Sequence, residues 1–200
     1  LTTYTKSIGA ICISSFDADT IYNNPLYMPD ADAAKKAEEY LEKCLSESDS
    51  AGGVIECIID GVPAGIGDPV FEKLDANLAK AILSIGAVKG FEIGDGFDVA
   101  LAKGTTNNDS FYMTNDHKVA KSTNHSGGVL GGMSDGSKII FRAAVKPTPS
   151  VASLQKTVNK SGEDIEISIH GRHDPIIVPR AVVVVESMAA LTILDAMLLN

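Results

Sequence analysis

The C-terminal segment, residues 180–199, sets the narrowest limits on the fold of this chain. It is almost entirely apolar, but Glu186 and Asp195 interrupt it, so no apolar run approaches the ~20 residues that a membrane span needs. We therefore predict a long helix that packs in the core of the protein and does not span a membrane. The predicted inward face of this helix consists of Val184, Met188, Leu191 and Leu194, or their neighbours.

Upstream of this helix, strand patterns and helix patterns alternate irregularly. Apolar, β-branched runs predict strands at residues 8–14, 54–59, 88–93, 138–145 and 165–170. Helical spacing predicts helices at residues 31–45, with Asp30 as the N-cap, and at residues 70–85, with a short helical turn at residues 97–102. The apolar face of the second helix is predicted to hold Leu74, Leu78, Ile82 and Ile85. Irregular alternation favours an α+β fold over a parallel doubly wound sheet.

Composition and charge narrow the class of protein. The 44% of hydrophobic and 22% of charged residues are typical of a globular protein, and the net charge of −9 argues against nucleic-acid or anionic-membrane binding. No signal-peptide pattern opens the chain. The three cysteines lack metal-ligand spacing, and we interpret Cys12 and Cys57 as small apolar residues of strands in a reduced, cytoplasmic setting.

A polar stretch at residues 104–124 shows no periodicity. Structureless segments of that length are uncommon unless they are functional, so we predict a functional loop or lid. His117 and His125 are interpreted as solvated loop histidines.

Two loops have the chemistry of an anion site. Residues 127–132, Gly-Gly-Val-Leu-Gly-Gly, can either expose successive backbone N–H groups to an anion or form an ordinary turn. Lys146-Pro147-Thr148-Pro149-Ser150 offers a cation and hydroxyls on a rigid turn, which suits a phosphate or a polar ring edge. The alternative for this second loop is a proline-stiffened turn with a solvated lysine.

A charged run near the C-terminus, Gly171-Arg172-His173-Asp174-Pro175, combines a permanent cation, an imidazole and a carboxylate. Segments of this kind bind ligands and move protons at the edge of a core. A metal site formed by His170, His173 and Asp174, as in a metal-dependent hydrolase, is a remote alternative. The residues alone therefore predict an α+β domain with glycine-rich, anion-binding loops.

Several of these segments, taken in order along the chain, resemble chorismate synthase. The matching segments are residues 65–74, 84–97, 123–132, 146–150 and 171–175, followed by Arg180-Ala181 and Glu186-Ser187-Met188. The resemblance covers residues 1–200 and identifies them as the C-terminal part of a single chorismate synthase domain. It implies antiparallel β-sheets that sandwich core helices.

The resemblance also implies an activity. Chorismate synthases are lyases of the shikimate pathway that form chorismate from 5-enolpyruvylshikimate 3-phosphate by anti-1,4-elimination of phosphate. They require reduced FMN although the reaction has no net redox change. The resemblance further implies a cytoplasmic homotetramer with no nucleic-acid or membrane partner. The sequence leaves open whether the enzyme reduces its own flavin with a nicotinamide cofactor such as NADP or receives reduced FMN, and the lack of a visible reductase segment favours the second type.

The matching motifs assign roles to particular residues. Asp174 is implied to assist proton transfer near the flavin N5, and its alternative is a structural pairing with Arg172 or a backbone N–H. Gly86 stands where many members of the family have Asn or Pro, which preserves only a backbone contact. The residues implied to contact FMN are Gly86, Ala87, Gly131, Lys146, Pro147, Thr148, Pro149, Ser150 and Arg172.

Part of the family's machinery is not in this sequence. The catalytic histidines, one within a Gly-Glu-Ser-His-Gly motif, are absent, and the arginines are Arg142, Arg172 and Arg180 only. A substrate with one phosphate and two carboxylates needs more cations than these. We therefore expect catalysis only together with the N-terminal half of the family, and a flavin- or phosphate-binding fragment without catalysis is the alternative.

Overall fold

The structure is a computed structural model that describes residues 1–169, 171 and 174–199. Its chain forms two compact units. The first consists of Leu1–Thr3, Ile55–Ala144 and Val182–Asn200, and the second of Tyr4–Val54 and Val145–Ala181. Helices are mixed with antiparallel strand pairs, so the predicted α+β class is confirmed.

The α-helices are α1 (Ala31–Ser46), α2 (Leu74–Leu83), α3 (Gly104–Asn107) and α4 (Val178–Leu199), with 3-10 turns at Ala18–Asn23 and Gly96–Leu101. The strands are β1 (Thr2–Ile8), β2 (Ile11–Cys12), β3 (Gly53–Ile59), β4 (Val88–Ile93), β5 (Phe111–Met113), β6 (Val119–Lys121), β7 (Val129–Leu130), β8 (Met133–Ser134), β9 (Ile139–Val145), β10 (Gln155–Val158) and β11 (Asp164–Ile167).

The first unit is built on strands β3, β9 and β4, which lie side by side in that order. Phe141 of β9 is fully buried and stacks on Phe91 of β4, with ring centroids 5.3 Å apart. The predicted apolar face of α2 is confirmed at Leu74, Leu78 and Ile82, which are fully buried. The helix begins at Leu74 and not at residue 70, because left-handed backbone at Phe71 (φ 61°) is incompatible with a helix.

The second unit contains the β1–β2 hairpin, α1 and the β10–β11 hairpin. Asp30 caps α1 as predicted, because its side chain accepts a hydrogen bond from the N–H of Ala33 (3.0 Å). The same carboxylate accepts bonds from the N–H groups of Ser14 and Ser15, so it ties the β2 exit to the helix start. These backbone hydrogen bonds hold the pKa of Asp30 well below its usual range.

The first strand is one element that the sequence pattern misplaces. The predicted strand at residues 8–14 is wrong, because β1 ends at Ile8 and Gly9 (φ 54°) turns the chain into the short β2. The buried face of β1 carries Thr3, Thr5 and Ser7, which a hydrophobicity pattern does not detect. The Thr3 hydroxyl donates to the Cys57 thiol (3.2 Å), which satisfies one of these buried polar groups.

The C-terminal helix α4 forms as predicted, but its buried face is formed by neighbours of the four residues that were predicted to face inward. Val184 and Leu194 are exposed, whereas their neighbours Val185 and Ile193 are buried, and Leu191 is also exposed. The buried residues of its last five turns are Val182, Val185, Ala189 and Ile193. With 22 residues and a mean hydropathy of 2.1, α4 is long and apolar enough to cross a membrane by length and composition only, a test that core helices of globular proteins also pass. Only 22% of this apolar window is buried within the protein.

The predictions for the cysteines and for residues 104–124 can be compared with the structure. Cys57 is fully buried in β3, as predicted, and burial raises the pKa of its thiol to about 11. Cys12 is exposed, so its predicted role as a small apolar residue of a strand is wrong. The predicted loop at residues 104–124 instead holds α3 and the antiparallel β5–β6 hairpin, in which Tyr112 pairs with Ala120.

Candidate functional site

The turn between α2 and β4 carries the first two residues implied to contact FMN. Ala87 adopts left-handed backbone (φ 69°), which redirects the chain after the helix. Gly86 is exposed, and a Cβ at this position would meet no heavy atom within 4 Å. The turn therefore presents open backbone to which a flat ligand can approach closely.

The β7–β8 hairpin carries the third such residue, Gly131. Its two-residue turn consists of Gly131 (φ 61°) and Gly132 (φ 92°), a conformation that glycine adopts without strain. Gly132 is packed tightly, since its carbonyl accepts a bond from the N–H of Leu74 (2.8 Å) and a Cβ would lie 2.5 Å from the carbonyl oxygen of Asp68. Gly131 faces open space.

These two glycine turns lie at opposite ends of α2. Gly132 contacts the first residue of the helix, and Gly86 follows its last turn. A helix of this length, 10 residues, spans roughly 15 Å. The first unit thus offers two separate points of backbone approach.

A buried charge cluster lies at the base of the β7–β8 hairpin. The ammonium of Lys121 is 3.2 Å from an Asp109 oxygen and 2.6 Å from an Asp135 oxygen. It also donates to the side-chain oxygens of Asn124 (3.2 Å) and Ser126 (2.9 Å). The Lys121, Asp109 and Asp135 side chains are 3%, 4% and 8% exposed. We call these five residues the Lys121 cluster.

The carboxylates of this cluster are ionised in the folded chain. Burial by itself raises the pKa of Asp109, but hydrogen bonds from the Thr123 hydroxyl and from the Ser126 and His125 N–H groups outweigh it and hold the pKa well below its usual range. For Asp135, burial is likewise outweighed by the Lys121 ammonium and the Ser137 N–H, so its pKa is also lowered.

Sequence reasoning missed the Lys121 cluster. Three of its members lie in residues 104–124, which were predicted to be a loop, while Ser126 and Asp135 follow that stretch, and this separation along the chain hides their contact. One signal was present: Phe111, Tyr112 and Met113 precede a turn-rich Thr-Asn-Asp-His stretch, which is typical of a hairpin. That hairpin brings Lys121 back beside Asp109.

Acid is expected to destabilise the chain through three carboxylates. The folded-state pKa values of Asp30, Asp109 and Asp135 lie below those of the unfolded chain. Their contribution is therefore complete above the unfolded value of about 4 and is lost as the pH falls through the folded values. Urea unfolding midpoints should be flat from neutral pH to about pH 5 and decline towards about pH 2. Asp109→Asn should flatten this decline, and a wild-type midpoint that does not change with acid would contradict the assignment.

Next to this cluster, two ion-pair groups hold the loop after β4. The interpretation of His125 as a solvated histidine is wrong, since its Nδ1 lies 2.6 Å from an Asp95 oxygen and the ring is partly buried. Arg142 pairs with Glu56 (3.6 Å) and Glu92, and it donates to the carbonyl of Gly94. Both groups thereby connect the β4 end to its neighbours in the first unit.

In the second unit, the loop of residues 146–150 leaves β9. Its Thr148 carbonyl accepts a bond from the Ser50 hydroxyl (2.8 Å), which holds the loop against the segment before β3. The Thr148 hydroxyl oxygen is buried and has no hydrogen-bond partner among the residues that the structure describes. Lys146 is exposed and forms no ion pair with any residue that the structure describes. Leaving a buried hydroxyl without a hydrogen bond costs free energy, so a ligand that bonds to this oxygen would recover that cost.

The Asp174 carboxylate lies 2.8 Å from the guanidinium of Arg180, a partner that the sequence analysis did not name. Both side chains keep substantial exposure. His170, Arg172 and His173 lie outside the described residues, so the Arg172 prediction and the metal alternative are not tested. Among residues 1–169, 171 and 174–199, no three metal-ligating side chains cluster.

Taken one by one, these loops have chemistry that suits parts of a flavin mononucleotide. In the second unit, the Thr148 hydroxyl and the Lys146 ammonium, which lack partners among the described residues, suit phosphate oxygens. In the first unit, the open backbone at Gly86 and at Gly131 allows close approach of a flat ring at either turn. The fold defines an α+β protein, and each of its two units contains a loop that offers polar groups or open backbone to a ligand.

The comparison with known proteins gives the family. The family model described as chorismate synthase matches residues 1–198. The chain therefore belongs to the chorismate synthase family.

Individual relatives agree with this assignment. A chorismate synthase of Agathobacter rectalis is 72% identical over 99% of this chain, and one of Lachnoclostridium phytofermentans is 66% identical over 98%. A solved structure titled "Crystal Structure of Chorismate Synthase" superposes on 98% of this chain with a TM-score of 0.81 and 25% identity. The chain spans about half of each, namely 54% of both relatives and 56% of the solved chain.

Proposed function

We propose that this chain contributes to the formation of chorismate from 5-enolpyruvylshikimate 3-phosphate, a phosphate-lyase reaction with reduced FMN in the biosynthesis of aromatic amino acids. The observation that carries the proposal is the family match over almost the whole chain, with 72% identity to a named chorismate synthase. The open space at Gly86 and Gly131 and the buried Thr148 hydroxyl are compatible with flavin contacts, which supports the proposal.

The proposed cofactor contacts divide into two kinds. Gly86, Ala87 and Gly131 would approach the flavin through backbone atoms, since Gly86 and Gly131 face open space. Lys146 and the Thr148 hydroxyl would neutralise and hydrogen-bond phosphate or ring-edge oxygens, with Pro147, Pro149 and Ser150 shaping the turn. Arg172 completes the proposed set. When bound, reduced FMN supplies electron density that assists departure of the substrate phosphate.

Asp174 is the proposed proton-transfer group of this chain. Its carboxylate is 2.8 Å from Arg180, which is itself mostly exposed, so the pair orients the carboxylate without enclosing it. A carboxylate that keeps solvent or ligand access on its second oxygen can hold and pass on a proton near a ring nitrogen.

Substrate binding is proposed to need the part of the family that lies outside this chain. Arg142 is held by Glu56 and Glu92, and Arg180 is paired with Asp174, so neither described guanidinium is available to a trianionic substrate. We infer that the working enzyme combines both parts, in a cytoplasmic homotetramer that receives FMN already reduced. A flavin-binding fragment without catalysis is the second candidate, favoured by the same paired arginines.

Replacing Thr148 by Val tests the cofactor contact. The protein to use is this chain joined to the part of the Agathobacter rectalis relative that it does not cover, which we call the joined protein. Thr148→Val should raise the FMN dissociation constant about tenfold through loss of one hydrogen bond. It should not lower the unfolding midpoint, because the hydroxyl has no partner within the described part of the chain.

The matched control is Thr157→Val, at an exposed threonine of β10. It should leave both the FMN affinity and the midpoint unchanged. FMN fluorescence titration and urea unfolding measure the two quantities. Equal FMN affinity in wild type and Thr148→Val would remove Thr148 from the cofactor site.

A further inference from the structure

The β7–β8 hairpin is too short to hold its own position. It pairs only Val129 with Ser134 and Leu130 with Met133. Even a longer isolated two-stranded hairpin is marginally stable, so the placement of its glycine turn needs further contacts. At the tip, the N–H of Leu74 donates to the carbonyl of Gly132 (2.8 Å), and other contacts lie at the base.

The Lys121 cluster supplies those contacts. Asn124 and Ser126 precede the hairpin and Asp135 follows it, and one ammonium bonds to all three side chains. The backbone closes the same base, where the N–H of Asp135 donates to the carbonyl of Gly128 (3.1 Å). The two ends of the hairpin are thus joined through a single buried cation.

A second anchor connects this base to the rest of the first unit. Asp109 accepts bonds from the Ser126 hydroxyl (2.8 Å) and the His125 N–H (2.8 Å) while it pairs with Lys121. Removal of the cation would leave two buried carboxylates close together without a counter-charge. Breaking a buried pair in this way is far more disruptive than losing a surface ion pair.

We propose that Lys121 is the positioning residue of the Gly131 turn, which it holds in place by joining both ends of the β7–β8 hairpin to Asp109. The inference rests on the proposed function only for the role of Gly131 as a flavin contact; the positioning itself is a property of the chain.

Amide hydrogen exchange of the 200-residue chain tests the positioning. In Lys121→Met, the amides of residues 129–134 should exchange about tenfold faster or more, whereas those of α1 in the other unit should change much less. Lys121→Arg, which keeps the cation, should return exchange to within about threefold of wild type. The matched control Lys118→Met, at an exposed lysine of the same β5–β6 hairpin, should have no effect.

A double variant separates positioning from overall stability. Lys121→Met with Asp135→Asn removes one of the two carboxylates left without a counter-charge, so the unfolding midpoint should recover part of what Lys121→Met loses. The hairpin amides should still exchange fast, because no cation then joins the Asn124 and Ser126 side chains to residue 135. If exchange recovers together with the midpoint, or if Lys121→Met leaves exchange at residues 129–134 unchanged, the positioning role is wrong.

FMN titration of the joined protein adds the link to function. Lys121→Met should weaken FMN binding, and Lys121→Arg should restore it. If the wild-type joined protein does not bind FMN while exchange follows the expected order, the proposed function fails and the positioning role stands. If wild type binds FMN and Lys121→Met binds equally well despite a loosened hairpin, the Gly131 turn is not a flavin contact.

Discussion

The joined protein is expected to form chorismate at least about a thousandfold faster than the 200-residue chain alone. The physical reason is electrostatic: the substrate carries a phosphate and two carboxylates, and both described arginines of this chain are already ion-paired. A single lost charge-stabilising donor typically costs a hundredfold or so in turnover, and here several are missing. Anaerobic assays with 5-enolpyruvylshikimate 3-phosphate and reduced FMN measure the rates.

The control is the joined protein with the Gly-Glu-Ser-His-Gly histidine of the added part replaced by Ala. It should fold and bind FMN but turn over slowly, which shows that the gain comes from catalytic groups and not from stabilisation of the chain. If the 200-residue chain turned over at the rate of the joined protein, catalysis would not require the added part. FMN binding by the joined protein with no chorismate formed would support the non-catalytic alternative.

Asp174→Asn in the joined protein is expected to lower kcat by about a hundredfold, the usual contribution of a general acid–base group. FMN affinity should change by less than about twofold, because an amide of the same size keeps the shape of the site. Turnover under saturating substrate and FMN fluorescence titration are the two measurements.

Arg180→Gln is the matched control for the Asp174 prediction. It removes the partner of the 2.8 Å ion pair but leaves the carboxylate in place. A partly exposed pair of this kind stabilises a fold only slightly, so the unfolding midpoints of both variants should stay close to wild type. If Arg180→Gln and Asp174→Asn lose turnover equally, Asp174 is a structural partner of Arg180 and not a proton-transfer group.

Local chemistry explains which elements were predictable. The N-cap at Asp30, the buried face of α2 and the turns at Gly131 and Gly132 follow from residue types within a few positions of one another. The motif order likewise led to the family that residues 1–198 match. Helix caps, helical spacing and left-handed glycines act over one or two turns of chain, so a linear sequence contains them.

Elements whose burial depends on distant partners were not predictable in this way. The polar buried face of β1 and the register of α4 differ from the pattern because neighbouring segments, and not local hydrophobicity, determine which side is covered. The same holds for the candidate site. Its glycine loops and the loop of residues 146–150 were identified from the sequence. The Thr148 hydroxyl without a partner among the described residues and the pairing of Asp174 with Arg180 were not.

The Lys121 cluster shows most clearly what could not be predicted from the sequence. In sequence, Lys121, Asp109 and Asp135 are three charged residues in polar stretches that water would solvate equally well. Folding brings them to 3.2 and 2.6 Å and removes them from water, and burial then makes each charge depend on the others. The sequence by itself thus determined the local conformation and the family membership. The pairing of buried charges was decided by the tertiary structure, because it requires separate segments to pack together and exclude water.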